Sequence, residues 1–231
     1  MTGILLNALA VLVGGTLGLF FGTRLPERFQ STIISGLGLF TLALGLYDFL
    51  KTQNPLIALG SLLLGGLVGE GLQIETGMAS LGQLLEQRFG TLARGRGRLM
   101  QAFLTASLLF CVGPMTILGS IQNGLTGSYE LLAVKSVMDG FAAFAFASSL
   151  GPGVLFSVIV ILVYQGGISL LASRLNAVLN SAMLAEMTAV GGLMLMGIAL
   201  SSLLEVRKIR VGNFLPALLF APLLVWIVSR S

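Results

Sequence analysis

Histidine is absent from this chain, and cysteine occurs once, at Cys111. The first absence removes the usual imidazole base and the commonest zinc ligand. The second excludes an intramolecular disulfide. Charge is scarce too: charged residues make up 10% of the 231, where a soluble domain averages roughly 25%. No Walker loop, Ser–His–Asp set, HExxH or CxxC occurs, so the residues give no reason to expect nucleotide hydrolysis, a bound metal or a cofactor. With no histidine and its one cysteine inside an apolar run, the chain does not read as an enzyme. The formal charge of +4 comes from 13 basic and 9 acidic residues. The arginines stand at the ends of apolar runs without an aromatic-basic surface, so nucleic acid is not indicated as a partner.

What the chain does have is apolar length. Apolar residues make up 55% and the mean hydropathy is +0.98. Runs of about 20 apolar residues recur throughout, the length that crosses a bilayer as a helix. The expected class is therefore an all-α polytopic membrane protein of about eight transmembrane helices, some discontinuous, in a single membrane domain over residues 1–231. The spans read as Ile4–Gly22, Ser31–Leu50, Pro55–Leu72, Leu99–Ser120, Leu131–Ser149, Val154–Leu171, Ala177–Leu200 and Val211–Val228. The opening MTGILLNALAVLVGG lacks a basic region and is read as a retained first span. The 31 glycines suit helices that approach closely in a membrane. Gly14, Gly18 and Gly22 recur every four residues, as do Gly65 and Gly69, each set lining one helix face.

Alternate loops separate the basic residues. Arg24, Arg28, Arg88, Arg94, Arg96, Arg98, Arg207, Lys208 and Arg210 fall on one side, with Lys51, Arg174 and Arg230 on the other. The positive-inside rule places the first group in the cytoplasm and both termini outside. The long connection Gln73–Arg98 carries Met78, Leu81, Leu84, Leu85, Phe89 and Leu92 at helical spacing, as expected of an amphipathic helix on the cytoplasmic surface. Its RGRGR run reads as a contact for anionic lipid. An internal echo links the first span to the fourth and the second to the seventh in opposite orientations. That is the pattern of an inverted repeat, with halves 1–72 and 99–231.

Charges at membrane depth are costly and usually face a bundle interior or a water-filled path. Lys135 and Asp139, at i and i+4, share one helix face. Such a pair can hold a substrate charge or exchange partners; it can also be a neutralised packing pair, or Lys135 can snorkel outward. Glu186, with Ser181 and Thr188 nearby, is expected in the outer half of its span, or near the outer surface if that span begins later. Glu70 stands near the cytoplasmic end of the third span and reads equally as an interface marker. Gly113 and Pro114 should break the fourth span and free a carbonyl near Phe110 for an ion, a substrate group or a simple kink. Thr116, Ser120, Gln122 and Asn123 continue a polar thread. Gly151, Pro152 and Gly153 form a second break, either a tight turn or a re-entrant tip, and Gln165 adds a buried amide.

The segments LLNALAVLVGGTLGLFFGTRLPERF, GSLLLGGLVGE, FCVGPMTILGSIQNGLTGSYELLAVKSVMDGFAAFAFASSLGPGV and VGNFLPALL resemble the YqgA/YdfK-like family of uncharacterised bacterial membrane proteins over essentially the whole length. The long central block is the specific part. The resemblance implies a bacterial inner-membrane setting and membership of recognisable blocks for Gly113, Pro114, Lys135, Asp139, Gly151, Pro152, Asn213 and Pro216; the family is described only in terms of transport, without a substrate. The functional expectation is a small secondary transporter of a small ion or polar solute, homo-oligomeric with a dimer favoured. The alternatives are a channel, or a structural factor that binds partner helices and lipid.

Overall fold

The computed structural model describes residues 1–22, 26–89, 98–111 and 114–229. Among the described residues every regular element is helical. In order these are α1 (Thr2–Gly22), α2 (Glu27–Phe49), α3 (Pro55–Gly71), α4 (Ile74–Phe89), α5 (Arg98–Cys111), α6 (Pro114–Thr126), α7 (Glu130–Leu150), α8 (Gly153–Leu170), α9 (Ala172–Val178), α10 (Ser181–Ile198) and α11 (Ala217–Val228). A π-helical turn, Ala199–Leu203, continues α10, and a 3-10 turn, Val211–Phe214, precedes α11. Six helices are long and apolar enough to cross a membrane, and eight spans result if each of two bent pairs counts as one. The expected all-α membrane class is therefore what the chain forms. The bends are 54° between α3 and α4 and 62° between α5 and α6.

Several boundaries differ from the sequence expectation. The seventh span starts at Ser181, not Ala177, because Asn180 caps α10: its side chain accepts from the Met183 N–H at 2.8 Å. The fourth span is two helices, and the second runs on to Thr126. The junction after α7 is a tight turn between two helices of 21 and 18 residues. Gly151 takes φ +96°, open to glycine, and its N–H donates to the Ala147 carbonyl at 3.1 Å. Of the expected surface connection, α4 covers its first two-thirds. Gly113 and Arg24, Arg94, Arg96 and Arg230 lie outside the described residues.

The chain divides into two compact units. Unit 1 comprises Met1–Leu37, Ala79–Cys111 and Met115–Asn176. Its centre is the pairing of α1 with α7, and the glycines explain it. A Cβ on Gly14, Gly18 or Gly22 would run into the carbonyl oxygen of Gly140, Phe144 or Ser148 respectively. The step of four on both sides means the helices run parallel, backbone against backbone, the geometry that small residues at this spacing permit. On α8, Gly153 meets the Leu99 carbonyl of α5 in the same way, and Gly124 of α6 meets that of Ser169.

Unit 2 comprises Gly38–Met78, Val112–Pro114 and Ala177–Ser231. Here Gly65 and Gly69 of α3 lie against Ala217 and Asn213, and Gly45 of α2 and Gly192 of α10 face one another's carbonyls. Ile57, Met183 and Val225 form a buried cluster joining α3, α10 and α11.

Candidate functional site

The buried ion pair on α7 organises unit 1. Lys135 Nζ donates to Asp139 Oδ2 at 2.5 Å, and each residue is only 7% exposed. The i, i+4 spacing alone lets these side chains meet on one helix face. Their third partner comes from far away in sequence: Asn7 Nδ2, on α1, donates to the same Asp139 Oδ2 at 3.0 Å. The close α1–α7 packing at Gly14, Gly18 and Gly22 brings Asn7 to that depth.

Unit 1 also holds buried polar atoms without partners among the described residues. Among the described residues, Asn7 Oδ1, Thr105 Oγ1, Ser107 Oγ, Ser120 Oγ, Asn123 Oδ1 and both amide atoms of Gln165 are buried and make no hydrogen bond. All belong to unit 1. A buried polar atom left unpaired costs about 1–3 kcal/mol, so these atoms call for ordered water or a polar ligand as partners.

Register places Gln165 near the depth of Asp139. Gln165 follows the tight turn by the same number of residues as separates that turn from the neighbourhood of Asp139, so the two are level across the α7–α8 hairpin. Counting along α5 and α8 from the Leu99–Gly153 contact puts Cys111 level with Gln165, and Cys111 is within electrostatic reach of Lys135, Asp139 and Tyr164. The ion pair, Asn7 and the end of α5 therefore come together, and the count along the α7–α8 hairpin puts Gln165 near the level of Asp139. No local sequence pattern marks Asn7 of α1 or Thr105 and Ser107 of α5 as members of a buried cluster.

Thr116 is buried at the break in the fourth span, and its hydroxyl donates to the Phe110 carbonyl at 3.1 Å. The carbonyl expected to be free beside Pro114 is thus satisfied within the chain. Gly151, Pro152 and Gly153 form the tight turn already described.

The remaining carboxylates lie in unit 2. Glu186, 1% exposed, accepts from the Thr52 hydroxyl at 2.7 Å, the Gln53 N–H at 2.7 Å and the Asn54 N–H at 2.9 Å. It holds the loop that starts α3, where an anion is favoured by free N–H groups and the helix dipole. Three strong bonds leave it fully engaged in structure. Glu70 is exposed, pairs with Arg210, and accepts from Asn213 Nδ2 at 2.6 Å. Asn213 Oδ1 in turn accepts from the Glu75 N–H at 2.7 Å, while Glu75 Oε2 accepts from the Gly212 N–H at 2.7 Å. This clasp ties the bend between α3 and α4 to the 3-10 turn. Glu70, Glu186 and their partners are not part of the unit 1 cluster. Among the described residues no group of three or more Cys, Asp or Glu side chains could hold a metal ion.

Comparison with known proteins gives family matches of the same kind. Residues 2–226 match the family model described as protein of unknown function (DUF554). The uncharacterized membrane protein YdfK of Bacillus subtilis is 28% identical over 234 residues, covering 99% of this chain and 97% of that protein. The uncharacterized protein YqgA of Escherichia coli is 34% identical over 222 residues, covering 95% of this chain and 94% of that protein. No solved structure matches the chain significantly.

Proposed function

This chain belongs to the DUF554 family, and from that premise we propose that it is a small secondary transporter of the bacterial inner membrane, carrying a small ion or small polar solute through unit 1. One observation carries the reading. A buried Lys135–Asp139 pair, braced by Asn7, shares unit 1 with Gln165 and other polar side chains whose buried atoms have no partner among the described residues. A packing element alone would have its polar atoms satisfied; a path for a polar solute needs such atoms free to replace water around the cargo. Large apolar side chains such as Leu67, Phe141, Val163 and Leu219 are exposed over the surface and are the natural lipid contacts.

The rest of the reading follows from the sequence. The nine basic residues on one set of loops place that set in the cytoplasm and both termini outside. The working unit is a homo-oligomer, a dimer by preference, whose mass in detergent is measurable by light scattering. The antiparallel contact of α2 and α10 at Gly45 and Gly192 is what two inverted repeats would make near their axis.

The test is charge movement on a solid-supported membrane, with purified protein in liposomes, pH jumps and a panel of small ions and amino acids. A transient current lost in Asp139→Asn, from a variant with an intact thermal melt, supports transport through unit 1. A flux that fails to saturate indicates a channel. Silence on every electrogenic and tracer assay, with Asp139→Asn altering complex formation instead, favours a partner-binding role.

A further inference from the structure

We propose that the unit 1 site binds a monovalent alkali cation on Asp139, Asn7 and Gln165, and that Lys135 is a tethered cation which competes with it. The inference rests on the transport reading and names the class of its cargo.

The two members of the ion pair are not held alike. Asp139 sits at the centre of α7, and Asn7 of the tightly packed α1 fixes its carboxylate. Lys135 has Asp139 alone as a hydrogen-bond partner among the described residues. It lies five positions into α7, roughly 7–8 Å of helix rise from the first residue, a distance that its four-carbon stem spans in large part by snorkelling. The anchored group is the anion and the movable group is the cation. A ligand that enters by displacing one of them takes the place of the ammonium, and it is therefore a cation.

The free ligand atoms agree. Among the described residues both hydrogen bonds to Asp139 fall on Oδ2, which leaves Oδ1 available. Because the Asn7 amide must donate with its nitrogen to a carboxylate, its oxygen is turned away, buried and without a partner. Gln165, 0% exposed and near the level of Asp139 by the count along the α7–α8 hairpin, supplies another free oxygen. One carboxylate and two amide oxygens are hard neutral-to-anionic ligands. Calcium and magnesium sites draw on more oxygens than this, commonly with several carboxylates, and transition metals on imidazole or thiolate. A set with a single charge suits a single-charged ion. Occupancy also keeps the buried charge constant only if the Lys135 ammonium leaves the site, so binding and lysine movement are coupled.

The experiment is thermal unfolding of the purified full chain in detergent, titrated with NaCl, KCl or choline chloride at constant ionic strength. Sodium or potassium is expected to raise the melting temperature saturably, while choline does not. Lys135→Gln should bind the same cation at least tenfold more tightly, because the competitor is gone. Gln165→Leu should weaken it several-fold, and Asp139→Asn should abolish the shift. A shift equal in choline, or one that survives Asp139→Asn, overturns the proposal, as does weaker cation binding in Lys135→Gln. Should Lys135→Gln fold only in the presence of alkali cation, that dependence itself is the expected competition. The two readings fail separately. An Asp139-dependent current driven by another solute, with no cation shift, sinks the cation site and leaves transport standing. A cation shift with no flux of any kind keeps the site and sinks transport.

Discussion

Asn7 and Asp139, 132 positions apart, are joined by a 3.0 Å hydrogen bond at the buried centre of unit 1. The bond gives the α7 carboxylate a fixed orientation that Lys135, on the same helix, cannot give it alone.

Replacing Asn7 with leucine removes that brace and leaves Asp139 with one partner. The loss of a hydrogen bond to a buried charge should lower stability by about 1.5–3 kcal/mol. Transport should fall along with it. Chemical denaturation in detergent and flux in liposomes measure the two effects, and Asn7→Gln, which keeps an amide, should be milder in both.

Gly18→Leu should prevent correct packing of α1 on α7, since even a Cβ there meets the Phe144 carbonyl. Gly36→Ala is the control, because nothing lies within 4 Å of its added carbon. Alanine at that helical position should be neutral or stabilise by about 0.5–1 kcal/mol. Monodisperse yield by fluorescence-detected gel filtration separates the two outcomes; equal yields would contradict the parallel α1–α7 contact.

Glu186→Leu should be among the most damaging single changes in unit 2. It strands the Gln53 and Asn54 N–H groups and the Thr52 hydroxyl, with an expected cost of about 3 kcal/mol or more. Glu186→Gln keeps an acceptor and should fall between that variant and the native chain. If Glu186→Gln melts like the native chain and yet loses all transport, the residue carries coupling as well as structure.

At the break in the fourth span, Thr116→Val leaves the Phe110 carbonyl unpaired and should cost about 1 kcal/mol or slightly more. Thr116→Ser retains the hydroxyl and should be close to native. A thermal melt of the pair decides whether that carbonyl is held by Thr116.

The clasp in unit 2 should respond unequally to its members. Arg210→Ala removes an exposed ion pair, worth at most about 1 kcal/mol. Asn213→Leu removes two partly buried bonds, to Glu70 and to the Glu75 N–H, and should destabilise more. Comparing their denaturation midpoints measures the difference.

Composition and run length settled the class of this protein. Apolar stretches of bilayer length leave a helix as the one structure that satisfies its own backbone, and the Lys135–Asp139 spacing guarantees a same-face pair. Glycine spacing announced close packing at Gly14, Gly18, Gly22, Gly65 and Gly69 but could not name the partners. Those are α7 for the first set, and the 3-10 turn and α11 for the second, because a repeat of four marks a face and not what covers it. The tertiary structure decided which acidic residues are free. Glu186, expected in the outer half of its span, binds the loop before α3, and Asn7 braces Asp139. Hydrogen-bond partners more than a hundred residues away are fixed by packing, and no local pattern encodes them.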